Sequence, residues 1–176
     1  MQVYKYLLII GFGLSSLITV SQETEHNESE QSFIVGFGPT LELSHSLAGI
    51  NGRFYYGVNE SFCFGPEISY FPYQNTDKGY EKSIIDLNIN AHYIFELNES
   101  LGVYPLSGIN YTIENERFVE ENDEHKKENG FGINYGVGIH YKLKDLFIFS
   151  EFKGIAGNLN DEFITIGFIY NFYNKN

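Results

Sequence analysis

Hydrophobic and polar residues alternate along most of this chain, most sharply at 83–100, "SIIDLNINAHYIFELNES". Ile85, Leu87, Ile89, Ala91, Tyr93 and Phe95 share one parity, and Asp86, Asn88, Asn90 and His92 fall between them. A period of two marks a β-strand with two unlike faces. The pattern predicts eight strands, at 33–44, 50–58, 62–71, 84–95, 101–113, 130–142, 146–154 and 162–173. They run between 9 and 13 residues. Strands of soluble proteins average about 5–6 residues, whereas a tilted strand that crosses a bilayer needs about 9–11.

The connections alternate too. Those at 59–61, 96–100 and 143–145 are tight, while those at 72–82, 114–129 and 155–161 are long, and 44–49 is the short member of the second set. Tight turns at one end and longer loops at the other characterise outer-membrane barrels. An even number of strands puts both termini at the tight-turn end.

One face of each strand is uncharged. The sixth strand offers Phe131, Ile133, Tyr135, Val137, Ile139 and Tyr141, and the eighth Ile164, Ile166, Phe168, Tyr170 and Phe172. A charge facing lipid at mid-bilayer costs about 2–4 kcal/mol, so such faces suit a lipid contact. The opposite parity carries Glu42, Arg53, Glu67, Asp86, Asn88, Asn90, His92, Asn110, Asn134, His140, Glu151 and Lys153. In an eight-stranded barrel the interior is just wide enough to be filled by side chains. These residues are therefore the expected polar lumen, with an Arg–carboxylate cluster of Arg53, Glu67 and Glu42. Tyr70, Phe71, Tyr111 and Phe131 are expected in an aromatic belt at the loop end, and Phe62, Tyr93, Phe95, Tyr141, Phe172 and Tyr173 in one at the turn end.

Composition narrows the class. The chain has 176 residues, consistent with one domain, and a net charge of -12. An acidic surface disfavours nucleic acid as a partner. The mean hydropathy of -0.21 excludes several helical membrane spans but not a barrel, whose strands average to mild polarity. The lone Cys63 excludes a disulfide framework. At the N-terminus, Lys5 precedes the 14-residue apolar run "LLIIGFGLSSLITV". That is too short for a spanning helix and suits a signal peptide. The expected organisation is a signal peptide at 1–22, an acidic linker at 23–31 and a barrel at 32–176.

The segments "FGPEISYF" at 64–71, "SGINYTI" at 107–113, "INYGVGIHYKL" at 133–143 and "ITIGFIYNFY" at 164–173 resemble small eight-stranded outer-membrane barrels. The superfamily is the OmpA/OmpX-like, porin-like one, especially in its Bacteroidetes-type versions. The resemblance spans 32–173 and departs at the C-terminus, where three residues follow Tyr173. It implies an all-β, antiparallel up-and-down transmembrane barrel in the bacterial outer membrane, with short periplasmic turns and longer extracellular loops. It also implies lipid as a partner and a non-catalytic, structural or adhesion-like role for a monomer without cofactor. A surface ligand, or a host or cell-envelope partner, would meet the loops.

The loop at 114–129 holds seven acids, Glu114, Glu116, Glu120, Glu121, Asp123, Glu124 and Glu128. It is expected to be an exposed acidic loop, without the spacing of a Ca²⁺ loop. The histidines at 26, 45, 92, 125 and 140 show no ligand spacing on one strand, so no metal site is expected. Two rival readings have distinct requirements. A soluble lipocalin-like barrel that binds an apolar ligand needs the apolar faces inside. A lipid-modifying enzyme at the outer rim needs Ser, His and an acid to converge, and Ser44, His45 and Ser46 are merely neighbours in a turn.

Overall fold

The alternating segments pair in the order in which they occur. The computed structural model describes residues 32–76, 79–118, 125–144 and 146–173. The expected signal peptide and linker, and Glu120, Glu121, Asp123 and Glu124, lie outside the described residues. The strands are β1 (Ser32–Glu42), β2 (Leu47–Asn59), β3 (Phe62–Asn75), β4 (Tyr80–Tyr93), β5 (Leu101–Phe118), β6 (His125–Leu143), β7 (Leu146–Gly157) and β8 (Glu162–Tyr173). β4 breaks at Ile94 and resumes for Phe95–Glu96, still paired with β5. Each strand lies antiparallel to the next, and β8 returns to β1 with Phe33 opposite Phe172. The result is a closed eight-stranded antiparallel barrel, with no free sheet edge among the described residues.

Closure satisfies the backbone and leaves the side chains two surfaces. β1 alternates between buried and exposed residue by residue along its length. Phe37, Ile50 and Phe131 point outward and are 65%, 67% and 73% exposed, whereas Asp86, Glu42 and Asn134 point inward and are fully buried. This is the inverse of a soluble barrel, so the lipocalin-like orientation does not hold.

Two expectations are corrected. Phe71 is not in an outer belt: it shares the parity of Glu67 and Ser69 and is fully buried inside the barrel. The long connections at 72–82 and 114–129 also carry strand at both of their ends. β5 and β6 run 18 and 19 residues, so Glu114, Glu116 and Glu128 belong to a tall hairpin rather than a loop. Its register sets Glu116 opposite Lys126 and Arg117 opposite His125. Glu116 with Lys126, and Glu81 of β4 with Arg117, are opposite-charge cross-strand pairs, which support a ladder standing in water. β4 pairs with this hairpin up to Tyr80 opposite Phe118. By contrast β1 and β8 have 11 and 12 residues. The barrel thus has a tall wall, β4 to β6, and a low wall around β8, β1 and β2.

Two of the three tight turns are closed by asparagine. Asn59 Oδ1 accepts from the Ser61 amide at 2.9 Å, and Asn98 Oδ1 accepts from the Ser100 and Leu101 amides at 3.0 Å. Such Asx turns explain the Asn-x-Ser pattern at both sites.

Candidate functional site

The lumen is filled in layers, and the middle one is ionic. Arg53 reaches across from β2 to β7, where its Nη1 and Nη2 donate to the two oxygens of Glu151 at 2.8 and 3.1 Å. Nε and Nη2 donate to Asn51 Oδ1 at 3.1 and 3.0 Å, and Glu67 Oε2 lies 3.5 Å from Nη2. The guanidinium sits 4.2 Å from the centre of the Phe149 ring. Lys153 Nζ donates to Glu67 Oε1 at 2.7 Å and to Asp86 Oδ2 at 3.0 Å. Three carboxylates and two cations therefore alternate across the barrel.

Neutral groups occupy the remaining lone pairs. Tyr55 donates to Glu67 at 2.7 Å and Tyr104 to Glu151 at 3.0 Å. Thr112 donates to Asp86 at 2.9 Å, and Asn110 donates to Asp86 and to Asn88. Asn134 joins Asn88 and Asn90 at 2.8 and 2.7 Å. A buried charge is tolerable when it is paired and its other valences are met, and this layer meets both conditions.

Toward the turn end the lumen opens into a cavity of about 490 Å³. Its wall is an aromatic ladder. Tyr55 and His92 lie 4.6 Å apart edge to face, and His92 stacks on Tyr104 at 4.8 Å. His140 lies 5.2 Å from Phe147 and 3.3 Å from Glu96. Toward the loop end the ionic layer is capped by a fully apolar one, Leu47, Phe71, Ile84, Ile155 and Phe163. Lys153 Nζ lies 5.2 Å from the centre of the Phe163 ring, so the two layers are in contact.

At the rim, across the barrel mouth between the low wall and the tall wall facing it, lies a second polar group. Glu42 ends β1 and accepts from the Ser44 and His45 amides at 2.6 and 2.9 Å. It closes the turn at 43–46, in which Ser46 has φ 58°. His45 Nδ1 stands 3.5 Å from Glu42 Oε2. Asp161, just before β8, is buried alongside, and one ligand atom from each of Glu42, His45 and Asp161 lies within 4.8 Å of the other two. The tall wall contributes Glu114, paired with Lys82 at 2.8 Å. Burial, with Glu114 and Glu42 nearby, pushes the Asp161 carboxyl up to about 7.

All twelve residues expected in the lumen are buried inside the barrel. Their grouping differs from expectation. Glu42 does not join Arg53; it sits at the rim, and the principal partner of Arg53 is Glu151. His92 and His140 belong to the turn-end cavity. Sequence reading missed Tyr55, Tyr104, Lys82 and Asp161. Strand parity was the available signal for the two tyrosines, since Tyr55 follows Arg53 by two and Tyr104 shares the parity of Asn110. Asp161 lies outside any strand and carried no signal.

No protein-family model matches the chain, and no curated protein matches it. Solved structures do resemble it. The N-terminal β-barrel domain of Pseudomonas aeruginosa OprF superposes with a TM-score of 0.60 at 16% identity, over 83% of this chain and 100% of that one. Ail, the attachment invasion locus protein of Yersinia pestis, gives 0.59 at 14% identity over 83% and 100%. A major outer membrane protein from Thermus thermophilus gives 0.61 at 11% identity over 81% and 99%. At these identities the likeness is one of fold: this chain has the architecture of small outer-membrane barrels.

Proposed function

We propose that this protein is a bacterial outer-membrane barrel with a non-catalytic, surface-interaction role. The observation that carries the reading is the inversion of its surfaces. An uncharged band rich in Phe, Tyr, Ile and Val surrounds an interior that buries three carboxylates and two cations. In water that band would be an aggregation surface; in lipid it is the required one. The signal peptide read at 1–22 delivers the chain to the periplasm. The tight-turn end, with both ends of the barrel, faces the periplasm, and the tall β5–β6 hairpin faces outward. The chain works as a monomer, because closure leaves no edge to share.

Ail has been solved with the heparin analogue sucrose octasulfate, a polyanion. The segment 114–129 of the present chain carries seven acids against Arg117, Lys126 and Lys127, so its surface partner is of the opposite character, basic or bridged by cations. Fractionation tests the location. The protein should be recovered in outer membranes and should migrate differently on detergent gels before and after boiling. Recovery as a detergent-free soluble monomer would overturn the reading.

A further inference from the structure

The ionic layer and the rim group contain the same number of carboxylates but unequal numbers of cations. Among the described residues at the rim, Glu114 and Asp161 converge on Lys82, and the Lys82 ammonium is held on Glu114. Lys82 therefore offsets Asp161 only in part, and Glu42, which faces Asp161, has His45 Nδ1 beside it at 3.5 Å. Asp161 is 4% exposed, and its Oδ2 has no hydrogen-bond partner. His45 Nδ1 is likewise buried and unpartnered. A buried carboxylate whose charge is only partly compensated is costly; here two stand together beside an imidazole nitrogen that makes no hydrogen bond.

We propose that Glu42, His45 and Asp161 form a binding site for a divalent transition-metal cation, with Zn²⁺ as its representative. One divalent ion neutralises Glu42 and Asp161 and leaves the Lys82–Glu114 pair balanced. It also gives His45 Nδ1 and Asp161 Oδ2 the partner they lack. In a tetrahedral site, ligand atoms at about 2.0–2.2 Å from a Zn²⁺ ion lie about 3.3–3.6 Å from one another. The observed separations reach no further than 4.8 Å, so closing on an ion takes a movement of about 1–1.5 Å. His45 and Asp161 lie outside the strands and can supply it. An imidazole nitrogen beside carboxylates suits Zn²⁺ over Ca²⁺ or Mg²⁺, which take oxygen ligands. Water completes the coordination. The site stands whether or not the barrel proves to be in the outer membrane, because it is built by the fold.

The test is calorimetric titration of ZnCl₂ into untagged, detergent-folded protein stripped with chelator. The wild type should bind one Zn²⁺ per chain saturably, with Ca²⁺ and Mg²⁺ at least tenfold weaker. His45→Ala and Asp161→Asn should each weaken Zn²⁺ at least tenfold. Glu81→Gln, outside the site, should bind as the wild type does. His45 lies in a surface turn, so its variant is expected to fold, and the gel shift on boiling verifies this. Absence of saturable Zn²⁺ binding overturns the proposal. So does binding that survives both variants, which would place the ion on other histidines.

Discussion

The middle of the lumen and its rim solve the same problem differently. Both bury three carboxylates. In the middle Glu67, Asp86 and Glu151 are interleaved with Arg53 and Lys153, and amides, phenols and a hydroxyl fill the remaining valences. At the rim Glu114 and Asp161 share Lys82, Glu42 is held by two backbone amides, and Asp161 Oδ2 and His45 Nδ1 are left without a hydrogen bond. A self-sufficient network locks strands that lie across the barrel from one another. A deficient one, near solvent, is poised to take something in.

Breaking the self-sufficient side should have the largest effect. Arg53→Ala leaves Glu67 and Glu151 buried without their guanidinium and should cost about 3–5 kcal/mol. Urea unfolding in lipid vesicles reads this directly, and an unchanged midpoint would mean that the ionic layer does not hold the barrel. Next comes the apolar layer that separates the two regions. Phe71→Ala should cost about 3 kcal/mol through lost burial and the cavity left behind, measured in the same way. It should also admit water to the ionic layer, visible as faster exchange of lumen amides.

The deficient side predicts a change of opposite sign. In the folded, metal-free protein Asp161 holds its proton up to about pH 7, against 3.8 for the free group. The unfolded chain releases that proton first, so stability falls as pH rises from about 4 to about 7. At about 1.4 kcal/mol per pH unit the span sets a ceiling near 4 kcal/mol. Loop relaxation around Glu42, His45, Lys82 and Glu114 should reduce it to about 1–2 kcal/mol. In chelator Asp161→Asn should therefore be more stable than the wild type at pH 8 and equal to it near pH 4. A loss at pH 8 would mean that the carboxylate is already compensated. The smallest effect belongs to Glu81, whose contact with Arg117 at 3.4 Å is partly solvated. Glu81→Gln should change stability by about 0.5 kcal/mol or less, and a larger loss would show that the tall hairpin is held by its charges.

Parity along each strand was enough to assign Arg53, Glu67, Asp86, Glu151 and Lys153 to one side of the wall, because every second residue of a closed sheet must point inward. It could not say which of them meet. Arg53 and Glu151 are 98 positions apart, and their encounter depends on how far the strands stagger as the barrel closes. Phe71 shows a conflict between two rules: an aromatic near a strand end suggests a belt, but its parity with Glu67 points inward, and the covalent alternation wins. The tall hairpin was hidden because charged residues look like loop when hydrophobicity is the guide. The rim group was out of reach, since Asp161 arrives from a connection far along the chain from Glu42 and His45.

The height of that hairpin has a consequence for reach. At about 3.3 Å per residue, the 18 residues of β5 span roughly 60 Å along the strand. Tilted by about 40°, they rise about 45 Å, against an apolar band about 25 Å tall. Roughly 20 Å of rigid ladder then stands clear of the hydrocarbon, with its backbone already ordered. With the barrel in the orientation proposed above, a partner arriving at the cell surface would meet a one-sided mast rather than a tangle of tethers, and docking on it would forfeit little chain entropy.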